Sequence, residues 1–159
     1  MIVNILEKQS FSVIGKLGQG NSNQGSLWIP PLWEAANSNF HEIEALAKKD
    51  EAGNVVGIWG AMSDIDDSFN RWSDQGKYLA GCEVMDGVVA PEGWTKWTIP
   101  SYKFLVVKCT QEDYGRIFDN MINNYMPEHN YKLVGAVHEY YAPQENDGCL
   151  YLYFPIEKD

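Results

Sequence analysis

Apolar side chains recur along this chain with two spacings, and the spacing switches at turn-forming residues. Residues 11–17, with Phe11, Val13, Ile14 and Leu17, read as a first strand closed by the Gly/Asn/Ser-rich stretch 18–25. Ile29, Pro30 and Pro31 mark a helix entrance, because proline is tolerated in a helix's first turn. Leu32, Ala36, Phe40, Ile43 and Leu46 then step by three or four residues, one face of a helix running to about residue 49. Residues 50–54 form a turn, 55–62 a buried strand, 63–76 a polar, acidic loop and 77–84 the next strand. The segment 89–100 is punctuated by Pro91, Gly93 and Pro100 and reads as a long loop carrying Trp94 and Trp97.

The pattern then starts again. Residues 101–109 predict a strand, with Thr110 as the N-cap of the helix that follows. Tyr114, Ile117, Phe118, Met121, Ile122 and Tyr125 line one face of that helix, and Pro127 ends it. A strand over 132–141, a turn over 143–148 and a last strand over 149–156 complete the chain. Strand-helix-strand-strand is thus written twice, with Val56-Gly57-Ile58 and Val134-Gly135-Ala136 in matching places. This predicts an α+β fold of one domain over 1–159, built from two modules, about 1–90 and 100–159. The modules would share an antiparallel sheet with both helices on one face, leaving the other face free to curve around something.

Charge narrows the function. Lys and Arg number 12 against 22 Asp and Glu, a net charge of −10. A surface of that sign repels phosphate backbones and anionic lipid, so nucleic-acid and membrane partners are not expected. Cationic ligands are favoured. The aromatic content of 13% is too high, and the acidic residues too dispersed, for a disordered chain. No basic leader with an apolar core opens the sequence and no run approaches a membrane span, so a cytoplasmic protein is expected. Cys82, Cys109 and Cys149 lie in apolar runs without Cys-x-x-Cys spacing and read as small buried hydrophobes.

Most chemistries are then set aside. His41, His129 and His138 lie in three different elements, and neighbouring strand residues such as His138 and Glu139 point to opposite faces, so no metal or other cofactor is expected. Gly18-Gln19-Gly20 lacks the Lys-Ser/Thr of a phosphate loop, and no Gly-x-Ser-x-Gly is present. Glu83 and Glu139 stand out because each sits mid-strand among apolar or aromatic neighbours. Such an acid either faces water or is enclosed, and an enclosed one becomes a cation receptor or a general base. Trp59 and Trp33 read as core or as ligand platforms, whereas Trp94 and Trp97 in their loop are candidates for stacking on a flat ligand.

The doubled pattern, together with residues 78–84 (Tyr-Leu-Ala-Gly-Cys-Glu-Val), Pro91-Glu92-Gly93-Trp94, Thr98-Ile99-Pro100, 134–141 and 150–156, resembles a GyrI-like small-molecule-binding domain. This is the effector-binding module found in AraC-type and MerR-type regulators. The resemblance implies a sheet of pseudo-twofold symmetry with the helices on one face and, on the other, a ligand groove for hydrophobic, often cationic, planar compounds, with an acid inside an aromatic cage. Glu139 matches that acid. Glu83 matches a stand-alone branch carrying Gly-Cys-Glu-Val, some of whose members are similar to hydrolases that open the cyclopropane of DNA-alkylating natural products. The groove set implied is Glu83 and Glu139 as catalytic acids, with Trp59, Trp94, Trp97, Tyr102, Val137, Tyr141 and Phe154 around the ligand. No helix-turn-helix accompanies the module, so direct DNA binding is not expected. Three functions stay open: a hydrolase of strained xenobiotics, a non-catalytic drug binder, and a gyrase-inhibitor-like interaction module. A monomer or weak homodimer is expected.

Overall fold

The computed structural model describes residues 1–145 and 147–158. Eight strands form one antiparallel sheet: β1 (Val3–Lys8), β2 (Phe11–Asn21), β3 (Ile58–Ser63), β4 (Gln75–Val84), β5 (Thr95–Ile99), β6 (Tyr102–Thr110), β7 (His138–Tyr141) and β8 (Cys149–Lys158). Their order across the sheet is β1-β6-β8-β7-β3-β4-β2-β5. Helix α1 (Gly25–Ser38) follows β2, and helix α2 (Tyr114–Asn120) follows β6. Each half is therefore strand-helix-strand-strand, and the halves meet where β3 pairs with β7. Two strands were not expected. β1 docks on β6 of the second half, and β5, within the segment read as a loop, docks on β2 of the first.

These exchanged strands force the sheet to bend. Lys8 and Phe11 are three peptide steps apart, a reach of at most about 11 Å. Yet β1 and β2 stand six positions apart in the sheet, about 29 Å if it were flat. The same holds for β5 and β6. The helix-free face accordingly closes on itself around Phe11, Trp59, Trp97, Tyr102, Phe104 and Tyr153, one cluster drawn from both halves. The ligand groove expected on that face is corrected: its space is filled by the protein's own aromatic rings. Both helices cover the opposite face, α1 above Ile14, Tyr78, Ala80 and Cys82, and α2 above Leu105, Val107, Leu150 and Leu152.

Other boundaries also moved. β2 runs through the glycine-rich stretch to Asn21, because Gly18 and Gly20 make room for α1; a Cβ on Gly20 would lie 2.5 Å from the Trp28 ring. α1 begins before its prolines and ends at Asn39, whose side-chain amide donates to the Ala35 carbonyl (2.8 Å). Phe40, Ile43 and Leu46 keep their apolar spacing in two 3-10 turns rather than in α-helix. In the second half, Thr110 and Asp113 cap each other's backbone N–H (3.1 and 2.7 Å). α2 loosens into a π-helical stretch at Met121–Tyr125, and Pro127 sits inside the closing turn Met126–Glu128. Only His138–Tyr141 of the strand expected over 132–141 joins the ladder, since the N–H of Ala136 donates instead to the Phe69 carbonyl (2.8 Å). Asn146, in the turn expected over 143–148, lies outside the described residues.

Candidate functional site: a carboxylate in a phenol cage between the helices

Strand alternation turns Glu139 and Tyr141 of β7 toward the helices and His138 and Tyr140 toward the aromatic core. Opposite Glu139 in the register stands Gly60 of β3. A Cβ at Gly60 would overlap the Tyr78 hydroxyl and approach Glu139 Oε1 to 2.7 Å, so glycine keeps this space open. Into it come three phenols. Tyr78 of β4 donates to Oε1 (2.5 Å), Tyr141 to the same oxygen (3.0 Å), and Tyr114 of α2 to Oε2 (2.5 Å). Trp33 of α1 donates through Nε1 to the Tyr78 oxygen (2.9 Å) and meets the Tyr141 ring edge-on at 5.3 Å.

The electrostatics follow from burial. Glu139 is buried, and among the described residues no Lys, Arg or His pairs with it. Desolvation raises its pKa above the usual carboxylate range, and the three phenol hydrogen bonds oppose that rise without cancelling it. Burial, reinforced by the Glu139 charge, pushes Tyr78 and Tyr114 well above an ordinary phenol, so both remain donors. His138 is no counter-charge: it faces the other side of the sheet, accepts the Met62 N–H at Nδ1 (3.1 Å), and burial lowers its pKa to about 3.

Beside the carboxylate lies a cavity of about 730 Å³, within the range of drug-sized pockets. The start of α1 (Ser26, Ile29, Pro30), the loop residues Arg71 and Trp72, and α2 (Tyr114, Phe118, Asp119) form its walls; Met62 of β3, Glu139 of β7 and the residues leading into β7, Ala136 and Val137, also line it. A smaller hollow of about 350 Å³ adjoins Tyr141 and is lined by Trp33, Asn37, Ile58 and Gln111. Gln111 borders both.

Of the residues singled out in the sequence, the fold brings Glu139, Val137 and Tyr141 together here. Phe154 lies fully buried beneath, against Phe118 at 5.5 Å. The others lie elsewhere. Trp59, Trp97 and Tyr102 belong to the closed aromatic core. Trp94 donates to Glu42 (2.8 Å) and carries the Lys16 ammonium 4.0 Å above its ring. Glu83 faces away from the helices, accepts the Trp59 Nε1–H (3.0 Å), and pairs with Lys48 (2.9 Å) and Lys8 (3.5 Å). Tyr78, Tyr114 and Trp33 complete the cage without having been assigned to it. Tyr114 was visible only as one member of an apolar helical stripe.

A sheet with two helices above it, an enclosed carboxylate and an aromatic-walled cavity define a small-molecule-binding module. The chain belongs to the family described as Cass2, integron-associated effector binding protein, which matches residues 4–156. It is 27% identical over 164 residues to the transcriptional regulator BrlR of Pseudomonas aeruginosa, covering 98% of this chain but 56% of that regulator. Among solved structures the fold is similar to SAV2435 bound to tetraphenylphosphonium (TM-score 0.72, 13% identity, 99% of this chain and 94% of that one). It is also similar to an integron cassette protein from the mobile metagenome of Vibrio cholerae (TM-score 0.60, 18% identity, 98% and 95%). No helix among the described residues is long and apolar enough to cross a membrane.

Proposed function

We propose that the cavity between the helices takes bulky or planar hydrophobic cations, with the positive charge set against Glu139. The observation that carries this reading is a buried carboxylate with three neutral donors and no cation of its own among the described residues. Phenol hydrogen bonds hold the charge in place but leave it uncompensated, and a lipophilic cation supplies the missing partner while apolar walls bury its substituents. The tetraphenylphosphonium bound to SAV2435 is of this chemical class and supports the reading. Titration with tetraphenylphosphonium tests it. The wild type should bind in the micromolar range, roughly −8 kcal/mol, and Glu139→Gln should bind far more weakly. Equal affinity for the two proteins would refute the assignment.

A second reading is hydrolysis of a strained cyclopropane. It is favoured by the raised pKa of Glu139, which brings the carboxylate closer to a working base, with the Tyr114 hydroxyl as an adjacent proton donor. Water would add across the ring, its oxygen bonding to carbon and a proton passing to the conjugated carbonyl that takes up the ring electrons. Incubation with a cyclopropane-bearing alkylator should then show a mass gain of one water that Glu139→Gln abolishes. Unaltered compound would leave the protein a binder only.

A further inference from the structure

The cavity has a second charged feature besides Glu139. Arg71 is the one cationic side chain among the described lining residues, while Asp119 of α2 is the other charged group there. Acidic residues outnumber basic ones 22 to 12, and Asp64, Asp66, Asp67 and Asp74 share the Arg71 loop. Even so, Arg71 forms no ion pair among the described residues, although Lys77 of β4 pairs with Asp67 of the same loop (3.0 Å). Its loop is well fastened. The Ser68 N–H donates to Asp64 (2.8 Å), the Phe69 N–H to the Ser63 hydroxyl (2.9 Å), and Trp72 Nε1 to the Lys77 carbonyl (3.1 Å). Trp72 also rests on Trp28 of α1, ring centres 5.5 Å apart. The loop therefore holds an uncommitted guanidinium at the mouth of a cavity whose inner wall is a carboxylate.

We infer that this cavity selects zwitterionic ligands: a lipophilic cation against Glu139, bearing an arm that ends in a carboxylate held by Arg71. The inference rests on the cation-binding reading above and names the ligand class more narrowly. A guanidinium presents paired N–H donors that match a carboxylate's two oxygens. It also repels a simple cation on its way in, so a ligand without an anionic arm meets a cost there that a zwitterion does not. Asp119 acts in the opposite sense and moderates the preference. Because Arg71 is exposed, the gain is of the size of a surface ion pair, about twofold to fivefold in affinity.

The test compares triphenylphosphonium carrying a pentanoate arm with the same cation carrying a plain pentyl arm, at neutral pH and about 0.15 M salt, which screens the long-range field of the acidic chain but not a contact pair at Arg71. The wild type should bind the pentanoate cation about twofold to fivefold more tightly. Arg71→Gln should erase that preference by weakening the pentanoate cation and, with the repulsion gone, tightening the pentyl one. Asp119→Asn should widen the preference, and molar salt should collapse it. If the pentyl cation binds and the wild type shows no preference, or Arg71→Gln retains one, the zwitterion inference fails while cation binding stands. An equal loss of both ligands in Asp119→Asn would also defeat it, by pointing to a structural closure across the mouth. Binding of neither cation would defeat both readings.

Discussion

Glu139 and Glu83 begin from similar circumstances. Each sits in a strand among apolar or aromatic neighbours, each is buried, and each accepts a hydrogen bond from an aromatic side chain. What surrounds them differs. Glu83 faces the closed side of the sheet and is neutralised by Lys8 and Lys48. Glu139 faces the helices and receives three neutral phenols, with a cavity alongside. A carboxylate already neutralised by two ammonium groups has little attraction left for a cationic ligand. One stabilised only by dipoles keeps its charge available. On the proposed reading, burial of an acid marks a binding site only when its compensation is incomplete.

The largest effect expected from this contrast is on affinity. Glu139→Gln should cost a bound phosphonium cation about 30-fold or more, the loss of at least ~2 kcal/mol for a desolvated charge contact. Glu83→Gln should change it by less than threefold, as the carboxylate lies on the other face of the sheet. Calorimetric titration of both variants checks this, and comparable losses would dissolve the distinction.

Stability should reverse the ranking. Glu83→Ala strips the Trp59 N–H of its acceptor and both lysines of their counter-charge, an expected cost of about 1–3 kcal/mol in urea unfolding at neutral pH. Glu139→Gln removes a buried charge whose proton binds more tightly in the folded protein than in the unfolded chain. That carboxylate favours folding at acid pH and loses this contribution as pH rises through its raised pKa, so the glutamine variant should be at least as stable as wild type at neutral pH. A large destabilisation by Glu139→Gln would show the acid to be structural.

The smallest effect concerns the cage. Tyr114→Phe deletes the one phenol donor to Oε2 among the described residues, a hydrogen bond that lowers the Glu139 pKa. The pH midpoint of cation binding should therefore move upward. A midpoint unchanged from wild type would remove Tyr114 from the account.

The sequence carried much of this arrangement. The doubled element order, the antiparallel α+β architecture and the alternation that sets Glu139 and Tyr141 apart from His138 were legible from periodicity. The exchange of β1 and β5 between the halves was not, because strand pairing across the sheet leaves no local mark on a segment such as 95–99. That exchange closes the helix-free face, and so the candidate cavity lies on the helix side instead. Trp59, Trp97 and Tyr102 have the composition of a ligand wall, yet the bent sheet packs them against one another. Tyr78 and Tyr114 lay in runs that alternation and helical spacing assign to the core. Their hydroxyls acquire meaning only when two elements far apart in sequence meet over one carboxylate.

The most direct test of an uncompensated Glu139 counts protons. Tetraphenylphosphonium binding is measured calorimetrically in two buffers of different ionisation enthalpy, at a pH low enough for the carboxylate to be partly protonated. A cation that sits against Glu139 must displace that proton, so the wild type should release protons on binding and lose affinity as pH falls further, while Glu139→Gln should do neither. Binding by the wild type with no proton release, and with the same pH profile as Glu139→Gln, would contradict the account.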